Sequence, residues 1–445
     1  MNDKLVKREI TKFVIPIVLE NILQLSANII STAMIGRLSS IDIAAQGICM
    51  RISDLLWVLF RGISVGLMIT ASKAFANKDN NKIKDTIVQT LISGFIIVAL
   101  FTVIIKAFSI NIISFFSKND EIISESSIYL DIMIHSLVFM LLTSVVSACF
   151  NAMGDTKTPL LFAGIMNLLN IVLGWGLIFG RLGMPELGLK GAALALIIAQ
   201  CCSSLLGFFV LLRRLHIKQS VTILNHKKLI NLNIIKEIYS IGIPAAMENI
   251  FWQISAVLLS KFILAHGADP FAAYQIGIQA EIITEMPAIA FGTASTVLIA
   301  KGRSDKSRLV NTYFKEISSL TIKYSIISSL ILIFFSTQFM KFMTNNTTLV
   351  EIGKYYVLVM GFIQIPQNLS RVYNGTLRSS GYNKAPMIIA GLGIWGIRIP
   401  ICALITYVFK ANIIFVWIII AFDQLFRFIV SFIWVNKNRE KIFYY

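Results

Sequence analysis

Apolar residues run through this chain in long blocks, without the short alternation of half-buried strands or the one-sided stripe of a soluble helix. Twelve blocks approach or exceed the roughly 20 mostly apolar residues that cross a hydrocarbon layer. They lie at about 14–36, 44–72, 87–107, 127–149, 160–180, 191–212, 238–265, 272–300, 317–340, 355–377, 387–409 and 413–436. No strand pattern competes with them. The pattern predicts an all-α polytopic membrane protein with twelve transmembrane helices. The longest polar interval, "RRLHIKQSVTILNHKKLINLNIIKE" at 213–237, divides it into an N-terminal six-helix lobe (1–212), a cytoplasmic linker (213–237) and a C-terminal six-helix lobe (238–445).

The two lobes share a register. At an offset of 228, Ile15/Ile243, Pro16/Pro244, Glu20/Glu248, Asn21/Asn249, Ala44/Ala272 and Lys73/Lys301 coincide. At 227, Tyr129/Tyr356, Gly154/Gly381, Lys157/Lys384, Pro159/Pro386 and Gly164/Gly391 coincide, so "GDTKTP" and "GYNKAP" are one turn used twice. Six spans per lobe make the repeat parallel, with pseudo-symmetric halves related by an axis along the membrane normal. Transporters of this build keep their sites near the bilayer midplane and rock one half against the other.

Composition agrees with the blocks. The 445 residues are 56% hydrophobic and 14% charged, where soluble domains hold about 25% charged residues. The net charge of +17 raises nucleic acid as a partner, but placement answers that. With the N terminus cytoplasmic, 25 Lys and Arg fall on the cytoplasmic side and 8 on the other. The bias puts both termini in the cytoplasm. It leaves membrane lipid, not nucleic acid, as the partner of the basic loops. The five cysteines all lie in apolar stretches without metal-site spacing. There is no GxxxxGK[ST] loop, so ATP does not drive the protein directly. No protease, kinase or zinc motif marks an enzyme, and no bound cofactor or resident metal is expected.

Charge inside hydrocarbon is costly and usually functional. Asp423/Arg427 and Arg51/Asp54 have the spacing of local ion pairs. Glu20 has no local cation. Gln24, Asn28 and Ser31 follow it on one helical face, which must line the bundle interior or a water-filled cavity. A glutamate hydrogen-bonded between helices would also account for Glu20, but its repetition at Glu248 favours a cavity role. Glu281 and Glu285 are four residues apart in span eight. If they meet in a low dielectric, they cannot easily both ionise, which suits a proton or cation carrier. His135, deep in span four, reads as a core histidine.

The segments "IPIVLENILQLSANIISTAMIGRLSSIDIAAQGI", "NAMGDTKTP", "NLLNIVLGWGLIFG" with "GLKGAALALI", and "WGIRIP" together resemble the multidrug and toxic compound extrusion (MATE) family over nearly the whole chain. The resemblance implies a two-lobed, twelve-helix exporter in the cell membrane. It would exchange H⁺ or Na⁺ for amphipathic, often cationic, organic compounds as a monomer. On this chain the family's aspartate in span one is Ser31. Asn170 keeps the first member of an Asn/Asp pair in span five, but Gly174 replaces the acid. The aspartate of span ten aligns with Gln367. The coupling ion is then expected at Glu248, with Glu281 or Glu285, and at Glu20, with Na⁺ at Glu248 as one form. Substrate is expected at Glu20, Gln24, Asn28, Ser31, Asn170 and Gln367. The alternative is a lipid-linked saccharide flippase of the same superfamily, for which Arg51, Arg61 and Arg398 would have to build a basic cavity.

Overall fold

The computed structural model describes residues 3–215, 230–304 and 309–444. Among these residues every regular element is a helix, as hydrocarbon demands of a chain that must satisfy its own backbone. In order they are α1 (Asp3–Ile35), α2 (Ser40–Ala76), α3 (Asn80–Phe116), α4 (Asp120–Ile134), α5 (Ser136–Ala152), α6 (Lys157–Phe179), α7 (Gly188–Arg214), α8 (Leu232–Ala265), α9 (Ala268–Ser304), α10 (Leu309–Phe334), α11 (Ser336–Met343), α12 (Thr347–Ser379), α13 (Ala385–Gly393), α14 (Ile399–Ala403), α15 (Ile413–Lys437) and α16 (Arg439–Phe443).

Among the described residues eleven helical segments are long and apolar enough to span a membrane, and one bent pair, taken as a single span, makes twelve. The bent pair corrects the sequence reading. The fourth span, expected as one helix over 127–149, breaks at His135, where α4 and α5 meet at 46°. His135 is exposed, so it is not a core residue. Its Nδ1 lies 2.9 Å from the Asp131 carbonyl oxygen, near the bend. The eleventh span runs Ala385–Val408. It includes two π-helical turns, Ile394–Arg398 and Leu404–Val408, on either side of α14. Pro400 sits between them without an N–H to give to a regular ladder. Wider π turns of this kind are frequent at functional sites.

The chain forms two compact units, Pro16–Ala246 and Met1–Ile15 with Met247–Tyr445. The sequence halves 1–212 and 238–445 therefore trade their opening arms. Most of the expected linker falls outside the described residues, and α8 starts within its last part, at Leu232. Both trades occur at or beside an interior proline, Pro16 in α1 and Pro244 in α8. Proline removes one rung of the helical ladder and kinks the helix, so its two sides can belong to different bodies. In one unit the α1 arm is held by Tyr313, whose hydroxyl donates to Glu9 at 2.7 Å. Lys301 stands 3.7 Å from Glu9, and Lys7 stands 3.4 Å from Glu316. In the other unit the α8 arm is held by Lys82, 3.1 Å from Glu237. Glu9 and Glu237 occupy the same place in the repeat. These pairs are partly solvated, so each contributes little to stability.

Packing sets the α8 arm more firmly. A Cβ placed on Gly62 of α2 would stand 2.6 Å from the Gly242 carbonyl oxygen, and one on Gly242 would stand 2.8 Å from that of Gly62. Two bare backbones touch there, as at other small-residue crossings in membranes. Alanine elsewhere in a helix stabilises by up to about 1 kcal/mol over glycine. Gly62→Ala is expected to do the reverse and destabilise by about 1–3 kcal/mol through overpacking. Thermal unfolding of the purified protein checks the sign.

Candidate functional site

The unit that holds residues 247–445 is organised by α12, which packs along α9, α10 and α15. Its core gathers Trp417, Tyr356, Val357, Met360, Val416 and Ile263. Against this core the unit places four acids, Glu248, Glu281, Glu285 and Asp423, and four arginines, Arg371, Arg378, Arg398 and Arg427.

Three of the acids face guanidinium groups. Glu248 in α8 is ion-paired with Arg378 from the last turn of α12. Glu285 in α9 is ion-paired with Arg371 of α12. Asp423 in α15 lies 3.2 Å from Nε of Arg427 and 2.8 Å from Nη2 of Arg398. Low dielectric strengthens each attraction, and removing one partner leaves the other buried and uncompensated. The negative charge of Glu248 and Glu285, expected to be open to an ion, is therefore already balanced within the protein. Glu281 and Glu285 also do not share a site as their spacing suggested, because each carboxylate turns to a different partner.

Glu281 is the exception. Among the described residues no Lys or Arg lies within ion-pair reach of it; three neutral groups donate instead. They are the Tyr356 hydroxyl at 2.5 Å, Gln367 Nε2 at 2.8 Å and Gln424 Nε2 at 3.4 Å. Tyr356 is fixed by edge-to-face contacts, with ring centroids 5.2 Å from Tyr274 and 5.7 Å from Trp417. Gly277 permits this seat, since a Cβ there would stand 2.5 Å from the Tyr356 ring. From Gln367 a polar line continues along α12. Gln364 Nε2 donates to Gln367 Oε1 at 3.5 Å, Ser328 of α10 donates to Gln364 Oε1 at 3.3 Å, and Asn368 Nδ2 donates to Ser325 at 3.0 Å. The line is buried, where polar groups need partners; its members bond one another except at Asn368 Oδ1, which has no partner among the described residues.

The Pro16–Ala246 unit is sparser. Asn170 Nδ2 donates to Ser31 Oγ at 3.0 Å, joining two positions that the resemblance marked separately. Glu20 is half-buried and makes no hydrogen bond or ion pair among the described residues. Gln24 and Asn28 are exposed on the same helix. Among the described residues Arg51 and Asp54 form no ion pair, unlike Asp423 and Arg427. Arg51 and Arg61 are exposed in this unit, whereas Arg398 is buried in the other, against Asp423.

The model of the MatE family matches residues 16–175 and 244–404, well over half of the chain. This chain belongs to the MatE family. The two matched segments begin 228 positions apart, at Pro16 and Pro244. The MatE chain is 26% identical over 428 residues to a probable multidrug resistance protein NorM of Thermotoga maritima, covering 95% of this chain and 90% of that protein. It is 25% identical to the probable multidrug resistance protein YoeA of Bacillus subtilis, covering 92% and 89%. Among solved structures, a MATE protein in a bent conformation superposes with a TM-score of 0.89 at 15% identity, covering 99% of this chain and 98% of that one. A superfamily transporter from Pyrococcus furiosus, described as having a binding pocket of reversed polarity, superposes with a TM-score of 0.89 at 15% identity, covering 98% and 96%. MatE proteins are transporters and not enzymes, and this one crosses the membrane many times.

Three residues of the site escaped the sequence reading. Arg378 stands in the last turn of α12, near the end of an apolar block, yet its long side chain reaches Glu248. Tyr356 carried a signal, its match to Tyr129 in the repeat. Gln424 carried none, since an amide beside Asp423 on an apolar helix points nowhere in particular. Glu248→Gln leaves Arg378 without its counter-charge and is expected to destabilise by about 3–5 kcal/mol. Glu248→Gln with Arg378→Gln should recover part of that loss. Thermal unfolding of the four members of the cycle checks it.

Proposed function

We propose that this protein is a secondary multidrug exporter that exchanges a monovalent cation, H⁺ or Na⁺, for amphipathic organic compounds, with Glu281 as the coupling-ion residue. One observation carries the assignment: among the described residues, Glu281 is the membrane-embedded acid of its unit that is held by neutral donors only. Its neighbours are groups that can reverse roles. A glutamine side chain that donates Nε2 to an empty carboxylate presents Oε1 to a sodium ion after a half-turn. A tyrosine hydroxyl donates to a carboxylate and accepts from a carboxylic acid. The same three side chains therefore serve the charged and the neutralised site, whereas a guanidinium would compete with the ion. Taking up the ion makes at least one donor turn, and the buried line from Gln367 to Ser328 and Asn368 would pass the change along α12. An ion that binds one state of the transporter better than the other shifts the population between them.

The relatives named as multidrug resistance proteins support organic compounds as cargo. The lysine and arginine bias supports a cytoplasmic position for both termini. In the other unit, Glu20 and the Ser31–Asn170 pair are the groups offered to a cationic substrate. The amount of Arg pairing around Glu248 and Glu285 favours an architectural role for both.

Glu281→Gln is expected to stay folded and to lower ion-driven efflux of a fluorescent organic cation from proteoliposomes by at least about tenfold, the scale of one lost charge-assisted contact. Imposing pH and Na⁺ gradients separately identifies the ion. Unchanged ion-driven efflux in the folded variant would rule Glu281 out.

A further inference from the structure

The guanidinium groups of Arg398 and Arg427 keep buried N–H donors that meet no acceptor among the described residues. Arg398 closes the π turn before α14, and Arg427 stands on α15; they are 4% and 7% exposed. Asp423 serves both. Arg427 Nε donates to Oδ1 at 3.2 Å. Arg398 Nη2 lies 2.8 Å from Oδ2, a close charge pair without hydrogen-bond alignment. Arg398 Nε and Arg427 Nη2 are buried and have no acceptor among the described residues. Two cations and one anion leave this cluster with one positive charge in excess.

Both guanidinium groups lie over one aromatic ring. The ring centroid of Trp252 on α8 is 4.8 Å from the Arg398 guanidinium carbon and 4.3 Å from that of Arg427. Trp252 is half-buried, as is every residue of α8 from 247 to 253, so this stretch is not sealed inside the core. An unsatisfied buried donor costs free energy, and an unbalanced charge in a membrane interior costs more. A bound oxyanion removes both costs, and the planar guanidinium fork matches a carboxylate. An indole face suits an aromatic body. A purely architectural role, tying α13, α14 and α15 to α8, accounts for the pairs with Asp423 but not for the donors left over.

We propose that Arg398, Arg427 and Trp252 form a subsite for an organic acid with an aromatic body, its carboxylate on the two guanidinium groups and its ring against the indole. Calling the ligand cargo rests on the transport reading above; its binding does not.

The test is equilibrium binding of labelled naphthoate to the full-length protein in nanodiscs, with naphthamide as the uncharged isostere and inorganic phosphate as the bare anion. Naphthoate should bind at least about tenfold more tightly than naphthamide, the size of a charge-assisted hydrogen bond. Arg398→Lys, which keeps the charge but loses the fork, and Trp252→Leu should each weaken it by about tenfold. Asp423→Asn removes the internal competitor and should tighten it, a direction that a merely architectural role does not produce. Thermal unfolding checks that each variant is folded. Equal binding of acid and amide, or unchanged naphthoate affinity in folded Arg398→Lys and Trp252→Leu, would overturn the subsite. Phosphate that binds as tightly as naphthoate and ignores Trp252→Leu would overturn the organic acid as its ligand. Naphthoate binding in a protein that exports nothing would overturn the transport reading and leave the subsite standing.

Discussion

A membrane interior supplies neither water to a polar group nor counter-ions to a charge, and the unit containing residues 247–445 is arranged around that shortage. Four acids and four arginines sit on helices that cross it. Glu248, Glu285 and Asp423 meet guanidinium groups, and the pairs tie α8 to α12, α9 to α12 and α15 to the π turn before α14. What differs from this pattern is what can do chemistry. Glu281 has neutral donors in place of a cation, and the Arg398–Arg427 pair keeps buried N–H donors that meet no acceptor among the described residues. The first departure suits a cation and the second an anion.

The two units use the same sequence repeat to different ends. Each has an opening helix with a proline, a glutamate four residues on, and another glutamate on the arm that precedes it. In one unit the repeat glutamate, Glu248, is locked to Arg378. In the other, Glu20 is half-buried and unpartnered among the described residues, with the Ser31–Asn170 pair further along the helix. Duplication copied the positions but not the partners. The symmetry of the arms survived better than that of the interior. Glu9 and Glu237 still meet lysines, and Pro16 and Pro244 still lie at or beside the boundaries of the compact units.

Much of this was legible in the sequence because a hydrocarbon solvent leaves few choices. Long apolar blocks must be helices, so the number and order of spans followed from block length alone. The repeat followed from residue identity at a fixed offset. The break at His135 was not legible, since a bent span and a straight one have the same hydropathy. The exchange of arms was also hidden: prolines mark where a helix can bend but not which body each side will join.

The site divided along the same line. Sequence by itself determined that acids and amides must lie inside the membrane at Glu20, Glu248, Glu281, Glu285 and Gln367, because no other solvent is available there. Only the tertiary structure decided which of them are spent on arginines. Pairing depends on side chains such as Arg378 and Arg371 reaching across from another helix, and that reach depends on helix rotation and packing distance. A glutamate held by Arg378 and a glutamate held by Tyr356, Gln367 and Gln424 look alike in a sequence. They differ in charge balance, and that balance separates a structural tie from a group free to carry an ion.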